Sequence, residues 1–272
     1  MRYHAPSRNA VDSTVFESMP LAAWNDYADL LRASEWPSID ALNARRAPDT
    51  SAYFVAQTPA LLADGLHYEQ RIAGRGEIAT REYNWHDLFN ALMWLRYPAI
   101  KRALNARQSA EIARMGPKTR SRAQYALTHF DEAGVLVELR DPALLQLWDA
   151  HDWLSLFWHE RAAWRDGRIR VELFGHALLE HALTPGKLLV GKALVFQCME
   201  AVDDGSLVAR AAAGIACGEL LCDPLELRPL PLSGLPGWHV EAERKNFHCY
   251  NPSYQPRRVG RDYPRPVTMS AT

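Results

Sequence analysis

The chain has 272 residues, with 31 basic and 32 acidic side chains and a formal net charge of −1. Hydrophobic residues make up 48% and charged residues 23%, which excludes wholesale disorder, collagen and coiled coil. The charge balance gives no global reason to expect a nucleic acid or membrane partner, and no apolar run approaches the ~18 residues of a membrane span.

The N-terminus reads MRYHAPSRNAVDST. It has no apolar core of a secretory signal, so a cytoplasmic protein is expected. Cys198, Cys217, Cys222 and Cys249 form no C-x-x-C pair and are read as reduced, buried, structural thiols.

Pro20 opens a predicted helix to Arg32, with Leu21, Trp24, Ala28 and Leu31 at helical spacing. Ser38 caps a short helix to Arg45, and residues 52–57 (AYFVAQ) read as a strand. After the turn at Gly74 and Gly76, Asn84 caps a helix over WHDLFNALMWLRY, and a second runs from Ala99 to Met115. Residues 125–130 and 135–139 flank Asp131-Glu132-Ala133-Gly134 and read as a β-hairpin, with glycine supplying positive φ. Asp141-Pro142 starts a helical region to Trp164, broken near His151-Asp152. Residues 168–174 alternate as a strand, and Gly175 leads into the short helix HALLEHAL. Lys192–Met199 reads as a strand or buried helix, and Ser206 caps an alanine-rich helix to Leu221. From Pro224, PLELRPLPLSGLPGW carries too much proline and glycine for a regular element and reads as a wrapping loop. The expectation is an α+β, helix-rich single domain over 1–250, with a small antiparallel sheet or hairpins, a Pro/Gly-rich C-terminal wrap, and a poorly structured or wrapping tail over 251–272.

Five blocks, GEIATREYNWHDLFNALMWLRYPAIKRALNARQ (76–108), ALTHFDEAGVLVE (126–138), HDWLSLFW (151–158), LFGHALLEHAL (173–183) and PLPLSGLPGWH (229–239), together resemble the bacterial family known as domain of unknown function 3025. The resemblance implies a cytosolic bacterial protein with one family-wide domain and carries no activity with it. The chemistry has to come from the residues.

There is no Walker A loop (Gly116-Pro117-Lys118-Thr119 imitates only its end), no G-x-G-x-x-G, no G-x-S-x-G and no H-E-x-x-H. The Asn84-capped helix carries an apolar face of Trp85, Leu88, Phe89, Leu92 and Leu95. Its opposite face holds His86, Asp87, Asn90 and Trp94, with none of the long charged side chains of a solvated face. That face is read as lining a cleft. His176 and Glu180, four apart on HALLEHAL, share a helix face and suit a divalent metal or an acid/base pair. His86, Asp87, His176 and Glu180 are the candidate metal ligands, with Asn90 beside them. Arg81, Lys101, Arg120 and Arg122 are candidates for holding a small anionic ligand.

The reading is a metal-assisted hydrolase acting on a phosphorylated substrate. The alternative is a non-catalytic polyanion- or nucleic-acid-binding protein. It would use the 96–122 stretch, where Arg96, Lys101, Arg102, Arg107, Arg114, Lys118, Arg120 and Arg122 face one acid, Glu111. Composition leaves oligomeric state open.

Overall fold

A computed structural model describes residues 3–48, 50–116 and 119–269. Pro117 and Lys118, the middle of the Walker-like tetrapeptide, lie outside the described residues, as do residues 270–272 of the tail. The chain opens with three 3-10 segments, Arg8–Ala10, Ser13–Glu17 and Leu21–Tyr27, and the short helices α1 (Ala28–Leu31) and α2 (Ile39–Ala44). The continuous helix expected from Pro20 is therefore interrupted. Trp24 leaves helical geometry at φ −109° and ψ 20° and buries its indole. Strand β1 (Tyr53–Ala56), helices α3 (Pro59–Leu62) and α4 (Tyr68–Arg75), and strand β2 (Glu77–Thr80) follow, with β1 and β2 paired in parallel.

The centre is helical. Helix α5 (Trp85–Arg96) starts at the Asn84 cap, whose side chain accepts from the Asp87 N–H at 3.0 Å. Helix α6 (Pro98–Met115) follows at once, because Pro98 suits a first turn and breaks α5. Helix α5 is buried nearly all round: Met93, Trp94 and, just past its end, Tyr97 join the core outside the apolar face of Trp85, Leu88, Phe89 and Leu92.

The hairpin expected around residue 131 is absent. Residues 122–133 form helix α7 (Arg122–Ala133), which runs without a loop into strand β3 (Gly134–Leu139). A capping box starts α7. The Ser121 Oγ accepts from the Gln124 N–H while the Gln124 side chain accepts from the Ser121 N–H. Ala126, Leu127 and Phe130 are then buried at helical spacing. Gly134 has φ −66°, not the positive φ expected of a turn. Glycine is required there for space, since a Cβ would lie 2.3 Å from the Phe130 carbonyl oxygen.

Helix α8 (Pro142–Ala150), capped by Asp141, stops at His151, which adopts positive φ. A π-helical turn (Ser155–His159) and helix α9 (Arg161–Arg165) lead to β4 (Ile169–Leu173), helix α10 (His176–Ala182), β5 (Val190–Cys198) and helix α11 (Asp204–Cys217). Asp203, not Ser206, caps α11; it accepts from the Ser206 N–H at 2.8 Å and hydroxyl at 2.6 Å. The stretch from Pro224 does contain a strand, β6 (Arg228–Pro231), whose prolines are tolerated because it lies at a sheet edge. Helix α12 (Lys245–Tyr250) and β7 (Val267–Met269) complete the chain.

The main sheet runs β4-β3-β5-β6, with β7 pairing the far end of β5. It is mixed: β3 is antiparallel to β4 and parallel to β5. The fold is α+β, as the sequence implies, and no helix among the described residues is long and apolar enough to cross a membrane. Of the four free cysteines only Cys198 is buried; Cys217, Cys222 and Cys249 are exposed, against the expectation of buried thiols.

The pairing of β3 with β4 sets two helix ends side by side. Val135 pairs with Leu173, so the start of β3 and the end of β4 share one edge of the sheet. The Phe174 and Gly175 N–H groups both donate to the Gly134 carbonyl, at 3.0 and 2.8 Å. A Cβ on Gly175 would sit 2.4 Å from the Ala133 Cα. The C-terminus of α7 is thereby held against the N-terminus of α10. Phe130 and Phe174 stack beneath the junction at 5.0 Å between ring centroids.

Gly134→Ala and Gly175→Ala are each expected to destabilise the fold by about 2–3 kcal/mol, since the nearest colliding atom in each case is backbone and cannot yield. Gly74→Ala, inside α4 with open space around it, should instead stabilise by about 0.5–1 kcal/mol. Urea unfolding midpoints at unchanged slope provide the measurement.

Candidate functional site

Three helix ends meet at the β3–β4 edge. His86 comes from the first turn of α5, Glu132 from the last turn of α7, and His176 is the first residue of α10. One ligand atom from each of these three lies within 4.8 Å of the other two. The two imidazoles face each other, Nε2 to Nε2, at 3.1 Å, with ring planes at 77°. His176 Nε2 is 3.8 Å from Glu132 Oε2.

The far side of each imidazole is backed by a carboxylate. The His86 Nδ1–H donates to Glu180 Oε2 at 2.9 Å. His176 Nδ1 faces Asp131 Oδ2 at 4.0 Å, is buried, and has no hydrogen-bond partner. Hydrogen bonding to Glu180 raises the His86 pKa above its ordinary value, against burial. Burial depresses His176 to about 4. The two imidazoles are thus shifted in opposite directions.

A second layer fixes these carboxylates. Lys101 is buried and donates to Asp131 Oδ1 at 2.6 Å and Asn90 Oδ1 at 2.8 Å; Asn90 in turn donates to the Tyr68 hydroxyl at 2.9 Å. Burial alone would raise the Asp131 pKa, but Lys101 and His176 hold it below the usual carboxylate range. Burial raises Glu132, opposed by His86.

The sequence-selected residues separate into distinct positions. His86, His176 and Glu180 converge. Asp87 does not face them: both its oxygens are taken by the Arg81 guanidinium, at 2.6–3.2 Å, and Oδ2 also accepts from the Arg81 backbone N–H at 2.6 Å. Asn90 is a bridge between Lys101 and Tyr68. Arg81 and Arg120 line the adjoining pocket, whereas Lys101 is spent on Asp131 and Arg122 pairs with Asp223. Asp131 and Glu132, read from sequence as turn residues, are the additions. The signal that finds them is the Ser121-x-x-Gln124 box followed by buried residues at helical spacing, which puts both on a helix.

The pocket beside the histidines has a volume of about 330 Å³ and a polar lining that includes Gln57, Glu69, Gln108 and Gln124. A larger cavity of about 580 Å³ lies on the other side, walled by Trp36, Tyr83 and the N-terminal residues Tyr3 to Ser7. Arg81, His86 and Glu132 line both, so the cluster stands in the wall between two openings. Glu69 is the other titrating group. Burial raises its pKa to about 7, and Asn105 Nδ2 holds it at 2.6 Å.

The rest of the basic stretch is largely engaged. Arg96 pairs with Glu172, Arg107 donates to the Ile215 carbonyl, and Arg114 pairs with Glu111. Arg102 and Arg120 make no hydrogen bond or ion pair with the described residues.

The chain belongs to the family described as protein of unknown function (DUF3025), which matches residues 52–258 and so spans all three clustered side chains. No curated protein and no solved structure matches it.

Because the folded state holds the Glu69 proton more tightly than the unfolded chain, stability is lost as pH rises from the ordinary glutamate range through about 7. Glu69→Gln is therefore expected to match the parent at pH 4.5 and exceed it by about 1–3 kcal/mol at pH 8. Thermal unfolding across that range checks the sign; equal shifts at both ends would contradict it.

Proposed function

We propose that this family member is a metal-dependent hydrolase acting on a small anionic, phosphorylated substrate. In this reading His86 Nε2, His176 Nε2 and Glu132 hold one divalent ion. The observation that carries it is the facing pair of imidazole nitrogens with Glu132 beside them, the His86 ring being held from behind by Glu180. A carboxylate on the far ring nitrogen orients a metal-binding histidine and raises its basicity.

The dimensions fit. Two nitrogens 3.1 Å apart accommodate an ion ~2.0–2.1 Å from each at an angle of about 100°. Ligand atoms on one ion lie no more than ~4.2 Å apart, and the 3.8 Å from His176 to Glu132 meets that bound. The Glu132 side chain, 43% exposed, has room to turn the remaining distance toward His86. Charge fits too. Asp87 and Asp131 are paired with Arg81 and Lys101, while Glu132 and Glu180 have no lysine or arginine ion-pair partner among the described residues.

Three protein ligands leave positions for water and substrate, the pattern of catalytic sites. A divalent ion there supplies Lewis acidity and lowers the pKa of water. The chain's own groups do the rest. Glu180 fixes the orientation of the His86 ring. Arg120, free of an internal partner among the described residues, offers a fork to a phosphoryl group at the pocket mouth. Glu69, able to gain or lose a proton near neutrality, serves as acid or base within the pocket. The polyanion-binding alternative has less support, since most of the basic stretch is paired internally.

Elemental analysis of protein purified without chelator is expected to find one divalent ion per chain. His176→Ala and Glu132→Gln should abolish its retention, and Glu180→Gln should weaken it about 10–100-fold. Glu69→Gln should keep the ion but lose about 10²–10⁴-fold in turnover of aryl phosphate esters. Retention of the ion by His176→Ala would overturn the assignment.

A further inference from the structure

A third cavity, of about 260 Å³, lies where the C-terminal segment crosses the sheet. One wall is Lys192 of β5 with Pro229 and Pro231 of β6; the other is the segment from Ser253 to Tyr263. That segment is tied down along its length. The Trp153 indole N–H donates to the Gln255 carbonyl at 2.8 Å, and His151 bridges the Gln255 carbonyl at 3.0 Å and the Tyr263 hydroxyl at 2.8 Å. Arg228, paired with Asp149, donates to the Pro264 carbonyl at 2.8 Å. The wall is thus a built surface.

Its charge is one-sided. Lys192, Arg258 and Arg261 all line it, and no acidic residue does. Among the described residues none of the three makes an ion pair. Arg261 reaches only the Pro224 and Leu227 carbonyls, both at 3.3 Å, and lies 4.9 Å over the Tyr263 ring. Burial and the two neighbouring arginines depress the Lys192 pKa, the mark of cations brought together without a counter-charge. The rest of the cavity is largely apolar, with Trp153, Leu227 and the prolines contributing flat surface.

Three converging, uncompensated cations beside a flat apolar wall describe a receptor for a dianion attached to a ring. We propose that this cavity is a second ligand site, separate from the histidine cluster, that takes a small aromatic phosphate ester. The phosphoryl group would lie between Lys192, Arg258 and Arg261 and the ring against Trp153 and the β6 prolines. Arginine forks match phosphate geometry, and the pair of them with a lysine suits a double charge. The volume is just below the ~300–1,000 Å³ of sites for drug-sized ligands, which limits the body to about one ring.

Titration calorimetry of the full chain with phenyl phosphate and with inorganic phosphate, in the presence of EDTA, tests this. Phenyl phosphate is expected to bind one-to-one, about tenfold more tightly than phosphate, with affinity falling as salt rises. Arg258→Glu, at an exposed position, and Lys192→Met, which keeps the apolar stem, should each weaken it about tenfold or more. His86→Ala should leave it unchanged. The proposal fails if neither compound binds, if binding survives both Arg258→Glu and Lys192→Met, or if His86→Ala removes it. The last result would move the anion to the histidine cluster while leaving the metal assignment to its own test.

Discussion

Two stretches of backbone cross at Gly134 and Gly175 more closely than any side chain would permit, and the arrangement of the site depends on that crossing. The Gly134 carbonyl accepts two N–H groups from the residues entering α10. The β3–β4 register fixes which residues meet, and helix geometry then does the aiming. Glu132 sits just before the crossing on α7 and His176 one residue beyond it on α10. Helix α5, which brings His86, is packed against α10 and buried on almost every face. Three side chains remote in sequence are thus placed by rigid elements rather than by loops, the condition under which functional geometry is held to fractions of an ångström.

The electrostatics around this crossing form one connected system. Lys101 is buried with Asp131, which stands behind His176; Glu180 stands behind His86; Arg81 occupies Asp87. Lys101 and Arg81 each have a carboxylate of their own, and Glu132 and Glu180 stand beside the two imidazoles. The contrast between a His86 whose pKa is raised and a His176 whose pKa is depressed has the same origin. One ring has a carboxylate within hydrogen-bond reach, while the other is buried with no carboxylate closer than 3.8 Å, and the one behind its Nδ1 is already bound to lysine.

Much of this was legible in the sequence, and the illegible part has a definite cause. The caps at Ser38, Asn84 and Asp141, and the polar face of α5 without lysine or glutamate, mark the helices and select His86. Gly175 followed by HALLEHAL selects His176 and Glu180. The chain around Asp131-Glu132-Ala133-Gly134 misleads because each residue favours a turn. What overrides that preference is the capping box ten residues upstream and the burial of Ala126, Leu127 and Phe130, which require a helix through Ala133. Gly134 compounds the ambiguity, since its role is spatial, set by a strand about 40 residues away that local patterns do not reveal. Arg122 and Lys101 show a related limit: sequence marks them as basic but not whether Asp223 or Asp131 has already claimed them.

The absence of any loop between α7 and β3 has a consequence for how this chain can change length. Elsewhere, connections such as the turn at Gly186 or the segment after Cys198 stand at the surface and can absorb an added residue with little effect on their neighbours. At the Ala133–Gly134 junction there is nothing to absorb it. The strand side is pinned by five paired residues, so one inserted residue would rotate the end of α7 by about 100° and carry Glu132 off the histidines. A lineage of such proteins is free to vary in the lengths of its outer loops, but at this junction an insertion or deletion costs the site itself.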